Sequence, residues 1–257
     1  MAMDLEPVER NPAELRKTAL KLVLFMVLGA IGILTAYKIK QSQKAEENPD
    51  RPPIVAKISK KLKAQDQHGE LFNMFHLEGK VWFAVSVCVS QPEANPLALK
   101  MMQDLQEHYA ENEDVCLVLI SIEGVDQGVG PEQLAEAAKK LGLEGPRTFW
   151  LTTGESDKQL GFIKDQVRLG LVHKKDGKYQ FPSLVALIDR EMHLRQRYDF
   201  KEAQDFQEMA EAELKKRPEV ENEEGFDKVL HAVEELKKTL YRNTEFVLEE
   251  TKTGSKS

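Results

Sequence analysis

The sequence predicts an α/β domain, a central sheet flanked by helices, and three observations predict it. Val81 to Val89 and Val115 to Ile122 are nearly continuous apolar runs. Runs without alternation are strands buried on both faces, and such strands occupy parallel central positions. Between them Ala98, Met101, Met102, Leu105 and Tyr109 recur at three- and four-residue spacing, one face of a helix. A second helix–strand unit and an antiparallel strand pair follow, which together give an α/β sandwich.

The elements follow in chain order. Residues 1–18 form a tail. Leu22 to Tyr37 carry no charge and are bracketed by Lys21 and Lys38. With Ala19 and Leu20, and with lysine stems snorkelling, residues 19–38 approach the length of about 20 that a bilayer requires. They are assigned as an uncleaved transmembrane anchor. The rival readings are a buried helix, disfavoured by the absence of a polar face, and a cleaved signal peptide, for which Leu34-Thr35-Ala36 is a poor site. Arg10, Arg16, Lys17 and Lys21 precede the span and Lys38, Lys40 and Lys44 follow it. The balance favours a cytoplasmic N-terminus by one charge. Residues 39–55, polar and ending in Arg51-Pro52-Pro53, are a linker.

The soluble domain is placed at 56–200. Glu78-Gly79-Lys80 is a turn before the first apolar strand. Pro96 begins the first helix, where its missing N–H costs little. Gly130-Pro131-Glu132 opens a second helix with Leu134, Ala135, Ala138 and Leu141 on one face, and Gly142 closes it. Thr148 to Thr152 is a strand. Ser156 is expected to cap a short helix running through Val167, with Leu160, Ile163 and Val167 inward. Ser183 to Asp189 and His193 to Tyr198 are the antiparallel pair.

Composition removes several function classes. The net charge of -7 argues against a nucleic-acid partner, and residues 201–257 carry -5 of it. Cys88 and Cys116 cannot form a disulfide framework, and their apolar surroundings mark them as buried thiols. His68, His76, His108, His173, His193 and His231 show no metal-ligand spacing. Gly124 to Gly130 is glycine-rich, but its Asp126 opposes phosphate. Glu93 is a lone carboxylate without a nucleophile beside it, so no catalytic residue is assigned.

Several stretches between Asp66 and Phe200 carry a resemblance. They are Gly79 to Ala84, Gln91-Pro92-Glu93-Ala94-Asn95-Pro96 with Met101 beyond, Ser121-Ile122-Glu123, Pro131 to Leu134, Pro146 to Gly154, Leu187-Ile188-Asp189 and Arg197-Tyr198-Asp199. Together they resemble the SCO/SenC family, thioredoxin-like copper-handling proteins of cytochrome oxidase assembly. The resemblance implies a thioredoxin-like sheet and a Cys-Pro-x-x-x-Cys-Pro metal loop. It implies a later histidine six residues before Leu187. In this chain those three positions hold Gln91, Asn95 and Phe181, and Met192 stands where the late hairpin has a glycine. An amide has no thiolate with which to hold Cu(I) or exchange disulfides. The chain is therefore expected to be a degenerate member without metal or cofactor, not an enzyme. It is expected to act in assembly or stabilisation of a respiratory complex. The resemblance also implies attachment to the cytoplasmic (inner) membrane by a single span, with the domain on the outer, periplasmic face. The alternatives are a copper chaperone using a displaced site of Cys88 with Met101 and Met102, or a thiol-disulfide oxidoreductase.

Residues 201–250 form a helical extension and 251–257 a disordered tail. Phe206, Met209, Ala210 and Leu214 mark one amphipathic stretch, broken from Pro218 to Gly225. Phe226, Val229, Val233, Leu236 and Leu240 then step 3-4-3-4. This stripe is either a last helix packed on the sheet or an exposed face for a partner. The partner-contact candidates are Pro92, Glu93 and Pro96 in the loop, fixed by its prolines, and Val229, Val233, Leu236 and Leu240 in the extension. Respiratory-complex subunits, other assembly factors and the membrane are the expected partners.

Overall fold

The structure is a computed structural model that describes residues 51–59, 62–222 and 225–254. The chain divides after Arg51, and the unit beginning at Pro52 is the one described below. The expected anchor at 19–38 lies outside the described residues. Among the described residues no helix is long and apolar enough to cross a membrane.

Among the described residues there are ten strands: β1 (Ala56–Lys57), β2 (Lys63–Gln65), β3 (Leu71–Asn73), β4 (Val81–Val87), β5 (Val115–Ser121), β6 (Thr148–Leu151), β7 (His173–Lys175), β8 (Lys178–Gln180), β9 (Leu184–Ile188) and β10 (His193–Asp199). The helices are α1 (Pro96–His108), α2 (Pro131–Lys140), α3 (Ser156–Phe162), α4 (Phe200–Lys216), α5 (Phe226–Leu230) and α6 (Ala232–Gly254). Six strands form one mixed sheet in the order β1-β10-β9-β4-β5-β6. β4, β5 and β6 are parallel, as their unbroken apolar runs predict, while β9 and β10 join antiparallel. A mixed central sheet flanked by helices fits the thioredoxin-like α/β class.

The pleat sorts the core into two layers. Val81, Phe83, Val85 and Val87 face one layer with α1, α2 and α6. Trp82, Ala84 and Cys88 face the other, which Phe72, Phe162, Ile163 and Val167 fill. All seven residues of β4 and all seven of β5 are buried, which requires cover on both faces.

One local expectation is corrected, and one sequence departure is explained. Ser156 does not cap α3. The helix begins at Ser156 with Glu155 before it. The Ser156 hydroxyl instead accepts from the Gly124 N–H (3.0 Å) and donates to Asp126, whose carboxylate also accepts from the Ser156 N–H. The acidic residue noted in the glycine-rich loop thus works as a loop clamp, and its carboxyl lies below the usual carboxylate range because Ser156 donates to it. Met192, at the supposed glycine position, has φ 64°. A left-handed conformation costs a non-glycine residue about 1–2 kcal/mol. The Met192 side chain is 2% exposed within the second core layer, and burial worth about 1.5–3 kcal/mol offsets that cost.

The extension is a helical layer. Leu240 is fully buried against the first core layer, with Val247 and Leu248, and Val233 and Leu236 pack at its margin. The stripe assigned as a candidate partner face therefore serves the core over most of its length, because one face of the sheet needs a cover. Val229 alone among the four is exposed. The stripe also belongs to two helices, since the chain turns at His231. In α4 it is Phe200, Ala203 and Ala210 that are buried, while Phe206 and Met209 are exposed.

Candidate functional site

The loops after β4, β5 and β6 gather at the carboxyl ends of the parallel strands, where open α/β sheets place their sites. The first of them carries the positions singled out in the sequence. Cys88 directly follows the strand, Gln91 precedes a short turn at Pro92–Ala94, and Asn95 precedes α1 with Pro96 at its first position. Glu93 and Pro96 are exposed and Pro92 is half-buried.

Both amides are engaged within the fold. Asn95 is 2% exposed. Its Nδ2 donates to the Ser86 carbonyl at 3.0 Å, and its Oδ1 accepts from the Ser183 hydroxyl. Ser183 Oγ in turn accepts from the Ala98 N–H at 3.1 Å. One side chain thus ties β4, the first turn of α1 and the entry to β9. Gln91 reaches the β7–β8 hairpin. Its Nε2 donates to the Gly177 carbonyl and its Oε1 accepts from the Tyr179 N–H, both at 3.3 Å. Phe181 follows two residues later, half-buried against the second core layer. Soft donors are required for cuprous copper. Two hydrogen-bonded amides and a phenyl ring do not fit that ion.

Sequence reasoning missed Ser90, Glu123 and Ser183. Glu123 is 5% exposed, and its carboxylate accepts from the Ser90 N–H (3.0 Å) and the Ser90 hydroxyl. Ser90 Oγ lies 3.5 Å from Cys88 Sγ. Burial pushes the Cys88 thiol up to about 11, the Ser90 contact opposes it, and the Glu123 charge adds to the rise. Cys116 is also raised, again by burial, with Lys80 and Arg147 opposing. Both cysteines are buried and unpaired. Glu123 lies in a stretch that carries the resemblance, but no local pattern announces its bond to a loop 33 residues away.

The donors of the displaced soft site are not brought together. Cys88 belongs to the second core layer, and Met101 and Met102 lie in the first, across the sheet. Three of the histidines have local partners: His193 faces Asp189 at 3.3 Å, His231 faces Asp227 at 3.2 Å, and His108 packs on Tyr241. Among the described residues no group of three or more His, Cys, Asp or Glu is arranged to hold a metal ion.

The bond pattern separates the two amides energetically. Asn95→Ala is expected to cost about 1–3 kcal/mol in denaturant unfolding, because it strips partners from buried Ser86 and Ser183. Gln91→Ala breaks two longer, half-exposed bonds and is expected to cost less than about 1 kcal/mol. Equal effects would show that the buried network is not the stronger anchor.

No family model matches the chain, and no curated protein matches it. Solved structures do. A SCO1/SenC family lipoprotein from Bacillus anthracis aligns at 24% identity with a TM-score of 0.51, over 56% of this chain and 86% of its own. BsSco, a member of the Sco family of cytochrome c oxidase assembly proteins, aligns at 23% identity over 58% and 86%, with a TM-score of 0.49. Arabidopsis thaliana ScoI with copper bound aligns at 15% identity over 72% and 99%, with a TM-score of 0.47. The first of these gives the fold: the described domain is built as that SCO1/SenC family lipoprotein is.

Proposed function

We propose that this chain, built on the SCO1/SenC fold, is a degenerate member of that family acting without catalysis. It would support assembly or stabilisation of a respiratory, cytochrome oxidase-type complex, with its copper and redox chemistry lost. It would be held in the inner membrane by residues 19–38, with the domain on the outer face. The observation that carries the reading is the engagement of Gln91 and Asn95. At the positions where the family resemblance calls for thiolates, both side chains are committed to internal hydrogen bonds. A scaffold that keeps its shape after such replacement offers surfaces rather than reactive atoms.

Titration of the full chain with Cu(I) tests this directly. No tight stoichiometric binding is expected, and tight binding would overturn it. If Cys88 served as a displaced ligand, Cys88→Ala would abolish copper retention.

The oxidoreductase reading makes a separate demand. A reactive cysteine needs an exposed, electropositive setting that favours the thiolate. Cys88 is 1% exposed, and its thiol is pushed up to about 11. Alkylation of the native protein at neutral pH is therefore expected to be slow at both cysteines and rapid after unfolding. Rapid native labelling of Cys88 would restore the enzyme reading.

A further inference from the structure

The β7–β8 hairpin joins a local excess of positive charge to a distinctive construction. His173 to Gln180 holds three lysines, Lys174, Lys175 and Lys178, and one acid, Asp176, in a chain of net charge -7. All three lysines are exposed, and among the described residues none forms an ion pair. Asp176 and Gly177 have φ 51° and 77°, the pair of positive values that a tight two-residue hairpin turn needs.

A two-stranded hairpin alone is marginal in water. This one is fastened by Gln91 at Gly177 and Tyr179, and by the Tyr179 hydroxyl donating to Gln127 Oε1 at 2.9 Å. Lys174 Nζ lies over the Tyr179 ring, 4.7 Å from its centroid. The hairpin backbone is thus held in place, so little backbone ordering is needed on binding, although the lysine side chains still lose rotamer freedom.

We infer that this hairpin is a docking finger for an acidic surface on a partner protein. The inference rests on the reading of the chain as an interaction protein and names the surface that would do the interacting. Complementary charge gives such contacts their orientation and association rate. Position favours a protein over anionic lipid. The chain enters the domain at Pro52, whose carbonyl is bound by Arg195, which also binds Asp189 in the β9–β10 turn. That turn follows Ile188, which pairs with Trp82 at the start of β4. Gln91 holds the hairpin beyond the other end of β4, about 20 Å away for a seven-residue strand. A domain tethered through Pro52 presents the lysines from its far end.

The test uses the full chain in phosphatidylcholine nanodiscs and two probes, a polyglutamate peptide and vesicles of phosphatidylcholine with phosphatidylglycerol. The wild type is expected to bind the peptide at low salt and to weaken by about tenfold or more as salt screens the contact. The variant K174E/K175E/K178E is expected to lose peptide binding. K215E/K216E, which reverses two exposed lysines on α4, is expected to keep it. Three results would each overturn the inference: no peptide binding by the wild type, equal loss in both variants, or binding to the vesicles in preference to the peptide. Failure here with no copper bound would leave the proposed function standing without this surface. Tight copper binding with the charge effect intact would do the reverse.

Discussion

Arg195→Ala is expected to destabilise the domain by about 3–5 kcal/mol, the range for removing one partner of a buried ion pair. Arg195 is 1% exposed and makes five hydrogen bonds. Two go to the Pro52 carbonyl, two to the Glu250 carboxylate at 2.7 and 2.8 Å, and one to Asp189 at 3.1 Å. The guanidinium therefore joins the entry of the domain, the β9–β10 turn and the C-terminal part of α6. Truncation leaves Asp189, itself 6% exposed, without its cation. Asp189 would keep the Glu191 and His193 N–H bonds at 2.9 and 2.8 Å, so the turn itself is expected to survive. Arg195→Lys keeps the charge but loses the planar fork, and is expected to recover only part of the loss. Urea unfolding with limited proteolysis checks both points, with cleavage near the end of α6 rising in the alanine variant. A change within about 0.5 kcal/mol, the size of an ordinary surface substitution, would mean the cluster clasps nothing.

Leu240→Ala is expected to cost about 2–5 kcal/mol, and Val229→Ala less than about 0.5 kcal/mol. The two residues share one sequence stripe, yet Leu240 is fully buried and Val229 is 42% exposed. Leu240 packs with Phe83, Tyr109 and Leu187 in the layer formed by the sheet and α1. Truncation to alanine removes its buried methyl groups and leaves a cavity term on top of the lost burial. Equal, small losses of stability in the two variants would return the whole stripe to the role of an exposed partner face. Equal large losses would show that α5 is as firmly packed as α6.

The legible parts of this molecule are those governed by local pattern. Unbroken apolar runs located β4 and β5 in the parallel centre, and three- and four-residue spacing located α1, because both signals reflect burial along one short element. Pro96 at the first helical position and Gly142 after α2 acted as local backbone rules require. At the candidate site the chain order exposed Gln91 and Asn95 as unusual, but their partners were invisible. Asn95 works with Ser183, 88 residues away, and Gln91 with Gly177, 86 residues away. The Asp176-Gly177 dipeptide was a usable hairpin signal that the sequence reading passed over.

Arg195 shows why the rest escapes any local pattern. Alternation along β10 sends Leu194 and Tyr198 to the same side, yet they lie in opposite core layers. The register shifts between Leu194 and Gln196, a bulge that turns the phase by one residue and leaves Leu194 and Arg195 both buried. No periodic pattern announces that shift.

From the sequence alone came the α/β class, the parallel centre, two buried thiols and a loop bearing amides where the family resemblance calls for sulfur. Which layer each side chain joins, what those amides grip, and whether the last helix covers the sheet were decided by tertiary structure. The reason is physical: burial periodicity is a property of single elements, whereas hydrogen-bond partners, bulges and cover are set by segments that meet only after the chain has folded.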